Sequence, residues 1–246
     1  MSQKPDYPYY DGVPVEIEGR RWLLLVGSVV LAFALLITLP FPYAPLNFIP
    51  PILYTGIPLL ALAWASRGHL GALFHPVGVK QVAQAVGFGF LTIVASVAAG
   101  LVLTQLTPMQ ANPAAAGVAA AQAPEIALFM VRTAIQLVGE ELMTILPLLA
   151  VLWLCVRKFG LSRRTGLIAG VIVSTLWFSA VHLPTYGWNF LQCFAGIGMA
   201  RLVLTAAFLF TRNLWVSAGA HIVNDWTEFL LPTLLAGGHV PIDPGA

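Results

Sequence analysis

Three stretches of this chain carry no charged side chain: Trp22 to Ser66, Gln81 to Pro124 and Thr165 to Ala200. Apolar runs of eighteen or more residues are candidates for helices that fill the hydrocarbon of a bilayer, where the backbone must satisfy its own hydrogen bonds. Composition agrees. Only 9% of the residues are charged and 59% are hydrophobic, against about a quarter charged in soluble domains. That excludes a water-soluble globule, and so much apolar surface excludes disorder. A net charge of +2 offers no basic face to nucleic acid. Cys155 and Cys193 lie far apart inside apolar runs, so no disulfide or zinc framework is signalled. The expected fold is an all-α, polytopic membrane helix bundle. It forms a single integral membrane domain over residues 1–246, with the lipid bilayer as its first partner.

Prolines and polar residues divide the runs. Pro40, Pro42, Pro45 and Asn47 separate a span over 22–39 from one over 48–66. Further spans fit 81–105, 125–156, 165–182 (ended by Pro184), 188–211 and 214–231. The stretch 107–124 reads as a loop or short surface helix. The total is about seven spans (seven to eight). Ten of the twelve Lys and Arg residues fall in alternate connections, and the other connections hold none. By the positive-inside rule the N-terminus, with a tail over 1–21, is cytoplasmic and the C-terminus outside. The expected location is a cell membrane (plasma or inner), crossed many times. Span one is too long for a cleavable signal and acts as an anchor. The first nineteen residues read as a solvated end. Gly166 and Gly170 form a small-xxx-small pair that lets span five pack closely.

What remains inside the membrane is unusual. Arg132 and Arg201 share it with Glu140, Glu141, Asp225, Glu228, His182 and His221. Ionisable groups at depth are costly and mark working sites by default, although structural ion pairs, such as one between Arg201 and Glu228, make the same pattern. At 1.5 Å per residue, Glu140, His182 and Asp225 lie about 25, 27 and 20 Å from the basic end of their helices, and His221 about 14 Å. Phe178 and His182 share a helix face, and His221, Asp225 and Glu228 share another. Glu140 and Glu141 are adjacent, so they point about 100° apart. One of them reacts and the other braces it or pairs elsewhere. The chemistry these groups suggest is acid–base hydrolysis by a carboxylate and an imidazole, or a metal site. The metal reading lacks any ligand pair on one helix. His69, His75 and His239 fall in connections or the tail and read as solvent or headgroup residues.

Gly-Glu140-Glu141 on span four, Phe178-x-x-x-His182 on span five and His221-x-x-x-Asp225 on span seven, in that order, resemble the CPBP (ABI, or CAAX-protease-like) family of intramembrane glutamic endopeptidases. The likeness covers about residues 125–231, a protease-like core. It implies an active site within the membrane between spans four, five and seven. By the resemblance, Glu140 and His182 activate water, Glu141 supports them, and His221 and the residue at the Asn/Asp position stabilise the oxyanion, with no metal and no cofactor. The implied activity is a glutamic-type hydrolase, a protease cutting a peptide or membrane-protein substrate.

The chain departs from the family pattern in two places. The expected arginine is Ile145, and Arg201 or Arg132 is the available replacement. Asp225 stands where a donor is wanted, so Asp225 is protonated, or it orients His221, or Asn224 donates instead. An alternative is therefore a catalytically inactive relative acting as a membrane scaffold or as an immunity protein against a bacteriocin or toxin. A transporter would need broken helices or repeats, and none is visible. A retinal protein would need an intramembrane lysine, and Lys4, Lys80 and Lys158 all lie outside the spans.

Overall fold

The computed structural model describes residues 6–235, and throughout them the only regular structure is helical. The expected side of the C-terminus, His239 and Lys4 fall outside the described residues. Eight α-helices follow one another: α1 (Gly19–Thr38), α2 (Ile49–Ala65), α3 (Val79–Leu103), α4 (Pro113–Ala120), α5 (Ala123–Trp153), α6 (Arg163–Val181), α7 (Gly198–Thr211) and α8 (Leu214–Leu235). Six segments, those built on α1, α2, α3, α5, α6 and α7, are long and apolar enough to cross a membrane. At 22 residues α8 matches them in length. Its polar stripe of His221, Asn224, Asp225 and Glu228 dilutes its apolar character. The short α4 is the surface helix anticipated within 107–124. Asn112 caps it by accepting from Ala114 N at 3.0 Å, and Pro113 takes the first position, where its missing N–H costs nothing.

Helix α5 is the pillar of the bundle. Every residue from Gly139 to Leu149 is buried, as befits a helix apolar on all sides. It packs against α1, α2, α6 and α8. Contact with α2 is close because residue 139 has no side chain: a Cβ there would lie 2.6 Å from the ring of Tyr54 and 2.7 Å from Thr55 Oγ1. Contact with α6 uses the anticipated small pair. A Cβ on Gly170 would sit 2.8 Å from the carbonyl oxygen of Leu148. α6 begins at Ser162, whose hydroxyl accepts from Thr165 N at 3.1 Å. It stops at Val181, because Pro184 disfavours helical geometry just before it. Span six starts later than residue 188. A π-helical turn, Gln192–Ile197, leads into α7, and Asn189 begins this stretch by accepting from Gln192 N at 3.0 Å.

The N-terminal tail is a correction to the sequence reading. It is folded onto the basic end of the bundle rather than solvated. Tyr7, Tyr9, Tyr10 and Ile17 are buried. Tyr9 donates to the His69 carbonyl at 2.7 Å and Tyr7 to that of Leu209 at 3.1 Å. Arg163 grips Asp6 through two hydrogen bonds, of 2.6 and 2.5 Å. The same guanidinium and that of Arg212 lie over the Tyr7 ring. The tail thus touches the α2–α3, α5–α6 and α7–α8 connections at one end of the molecule, where the charge alternation placed the cations.

Burial pushes the Asp6 carboxyl up, but the bonds from Arg163, Tyr10 and Tyr7 N outweigh it and hold its pKa below the ordinary value of 3.8. Such a group stabilises the docked tail above its unfolded pKa and loses that contribution as the pH falls through its folded one. Amide exchange over residues 6–17 is therefore expected to stay slow at pH 6 and to quicken below about pH 4, relative to intrinsic rates. Asp6→Asn is expected to exchange quickly at both values. Equal protection in parent and variant at pH 6 would show that Asp6 does not anchor the tail.

Candidate active site

Adjacent acids on α5 are held in different surroundings. Glu141 points to the interior and is fully buried, as is Arg201 on α7. The two form a bidentate ion pair, Nη1 to Oε1 at 2.6 Å and Nη2 to Oε2 at 3.0 Å. His221 on α8 donates from Nδ1 to Oε1 at 2.9 Å, and the hydroxyl of Ser217, one turn earlier, donates to Oε2. A carboxylate offers about four acceptor positions, and all four are occupied here. The guanidinium is held as firmly. Its Nε donates to Thr205 Oγ1 at 3.1 Å, and its Cζ lies 5.2 Å from the centre of the Phe178 ring.

Glu140 faces the other way, into a cavity of about 900 Å³. It is 9% exposed. Its Oε1 accepts from Gln136 Nε2 at 2.9 Å. Among the described residues its Oε2 accepts no hydrogen bond. The nearest charged partner is His221 Nε2, at 3.8 Å. His182 lines the same cavity at the end of α6. Its Nδ1 lies 2.7 Å from the Phe178 carbonyl. A carbonyl only accepts, so Nδ1 carries the proton, and Nε2 of the neutral ring keeps its lone pair. Phe178 sets both imidazoles: its ring centre is 4.5 Å from that of His182 and 6.0 Å from that of His221.

α8 closes the third side. His221 Nε2 is 3.5 Å from Asp225 Oδ1. Asn224 donates to that same oxygen at 3.0 Å. Asn224, Asp225 and Glu228 all border the cavity. So do Gln110, Asn112, Thr185 and Tyr186, which come from the connections at the end opposite the tail. Those connections are tied together. Gln192 Nε2 donates to the Gln110 carbonyl at 2.8 Å, and Gln192 Oε1 accepts from Gln110 N at 2.9 Å. Asn189 donates to the Pro108 carbonyl at 2.8 Å. Among the described residues no group of three or more His, Cys, Asp or Glu side chains converges as a metal-ligand set.

Glu140, His182, His221, Asn224 and Asp225 therefore border one cavity, and Glu141 lies behind it. Arg201 partners Glu141 and not Glu228, which corrects the pairing considered from sequence. Glu228 instead accepts from Asn112 at 3.4 Å. Position 145 is four residues beyond Glu141 and so shares its helix face. It is filled by a wholly buried isoleucine, and the cation arrives from α7. Sequence reasoning missed Gln136 and Ser217. Each stands one turn before a site residue on the same helix, so polar residues at i−4 to Glu140 and His221 were the available signal.

Residues 122–227 match the family model of the type II CAAX prenyl endopeptidase, Rce1-like. That segment runs from the start of α5 to the middle of α8 and includes Glu140, Glu141, His182, His221, Asn224 and Asp225. The resemblance read from the motifs thus stands. No curated protein and no solved structure matches the chain.

Proposed function

From a chain whose residues 122–227 are similar to type II CAAX prenyl endopeptidases, we propose that the protein is an intramembrane endopeptidase that hydrolyses a peptide bond of a membrane-associated or exported substrate. The observation that carries this reading is the contrast between the paired acids. Glu141 has no acceptor position left, whereas Glu140 presents Oε2 unbonded to the same cavity that His182 borders.

In this mechanism Glu140 Oε2 takes a proton from water, and the water oxygen bonds to the scissile carbonyl carbon. The free Nε2 of His182 accepts the water's other hydrogen and aims its lone pair. The carbonyl oxygen becomes an oxyanion. His221, as imidazolium, donates from Nε2, and Asn224 offers the N–H that Asp225 does not occupy. Asp225 holds both donors in place. Collapse of the intermediate breaks the C–N bond, and the proton on Glu140 passes to the departing amine. Glu141 and Arg201 fix the imidazole of His221 from behind and touch no substrate.

A catalytically inactive relative was suggested by Ile145. Arg201 beside Glu141 supplies a cation at that place and weakens this ground. Comparison of new protein termini in membranes carrying the parent, Glu140→Gln or His182→Ala is the direct test. Termini made by the parent alone support the reading, and identical termini in all three refute it. Among the donors, Asn224→Ala is expected to abolish turnover while Asp225→Asn is tolerated. The opposite outcome would transfer the donor role to Asp225.

A further inference from the structure

Residues 108–112, between α3 and α4, belong to no helix or turn, yet their backbone is held straight. Gln110 spends both of its backbone groups on one side chain. Its N–H donates to Gln192 Oε1 at 2.9 Å, and its carbonyl accepts from Gln192 Nε2 at 2.8 Å. A single planar amide can meet both only where the N–H and C=O of one residue point the same way, as they do in an extended strand. Two residues earlier the Pro108 carbonyl accepts from Asn189 at 2.8 Å. Alternate residues of an extended chain turn their backbone groups to the same edge. Pro108 and Gln110 therefore share one edge, and Asn189 and Gln192 cover it. Asn112, at φ −70° and ψ 120°, carries the same geometry up to the start of α4.

The opposite edge belongs to Met109 and Ala111. Among the described residues neither their N–H nor their C=O groups are hydrogen-bonded. Met109 is half-buried and Ala111 exposed, and both border the cavity that holds Glu140 and His182. An unpaired edge is a template for another strand. This one offers two donors and two acceptors, about 6–7 Å apart along the chain. Strand form also suits hydrolysis. The carbonyls inside a helix are occupied by N–H groups four residues on. A strand paired along one edge leaves every second carbonyl free on the other.

We propose that the Met109–Ala111 edge binds the substrate backbone by strand addition and holds the peptide extended in the cavity of Glu140. The inference rests on the endopeptidase reading and adds to it how the chain is held. Main-chain pairing supplies affinity with little regard to sequence, and alternate side chains meet the cavity wall. Asn189 and Gln192 are positioning residues that touch no substrate and keep the edge straight.

The test uses purified full-length Glu140→Gln in dodecyl maltoside micelles. The probe is the tightest-binding member of a mixed-sequence decapeptide library, carrying a fluorophore and read by anisotropy. Each amide N–H of the probe is replaced in turn by an ester oxygen, which deletes a donor without adding bulk. Affinity is expected to fall about five- to tenfold at two positions separated by one tolerant position. Ala111→Pro removes one N–H of the open edge. Proline wants its predecessor extended, as Gln110 already is. The variant is expected to weaken binding of the unmodified probe about five- to tenfold. With Glu140 intact it is expected to raise KM for the same peptide rather than to lower kcat. The ester scan needs no variant at the edge, so it decides the matter even where Ala111→Pro folds poorly. Binding with this two-apart pattern but no cleavage by the parent keeps the strand site and sinks the endopeptidase. Cleavage with losses at adjacent positions, or at none, overturns strand addition. A folded Ala111→Pro protein that binds the probe like the parent overturns the assignment to this edge. No binding and no cleavage overturns both.

Discussion

Arg201→Met is expected to destabilise the folded protein by about 3–5 kcal/mol, because it strands a buried carboxylate without its counter-charge. Glu141 and Arg201 are both 0% exposed, so no water can replace the lost fork. Of the remaining donors, Ser217 Oγ is neutral and the imidazole of His221 also faces Glu140 and Asp225, so neither replaces the lost fork. The damage is also directional, since His221 is held by Glu141 and would lose its orientation. The double variant Arg201→Met with Glu141→Gln is expected to recover most of the stability. It removes both charges and keeps an oxygen for Ser217 and His221. Activity is not expected to return with it, because the amide holds His221 less firmly than the carboxylate. Denaturant unfolding in micelles measures both. A single variant as stable as the parent would show that the pair is dispensable to the fold.

Glu140→Gln is expected to behave in the opposite manner. Its stability should match the parent, because glutamine keeps the shape and still accepts from Gln136. Its turnover should fall by about 10²–10⁴, the usual worth of a positioned acid–base group. An amide oxygen cannot take the proton of the attacking water. The contrast between neighbours is the informative result: one residue of the pair governs folding and the other governs rate. Comparable stability losses in Glu140→Gln and Arg201→Met would mean that both acids are structural.

Much of the architecture was legible in the residues. Charge-free runs, broken by Pro40, Pro42, Pro45 and Pro184, gave the helices to within a few positions. The placing of Arg20, Arg67, Arg157 and Arg212 in alternate connections is matched by the end of the bundle where the tail docks. The spacing of Phe178 and His182, and of His221 and Asp225, put groups that border one cavity on common faces, because helical periodicity is local and fixed. The tail was misread for a related reason. Asp6, Tyr7 and Tyr9 look like a solvated end in sequence, and nothing local reveals that Arg163, some 157 positions away, receives Asp6.

The sequence by itself determined that this chain is a membrane helix bundle with a few costly charges at depth. That follows from hydropathy and spacing, which act along one helix at a time. Only the tertiary structure decided which charges meet. Arg201 could have answered Glu228, Glu141 or nothing, and the packing of α7 against α6 and α8 brings it to Glu141. The same packing turns two neighbouring glutamates into different groups. About 100° of helical rotation buries one against an arginine and leaves the other facing a cavity, and that angle becomes an environment only once α6, α7 and α8 are in place.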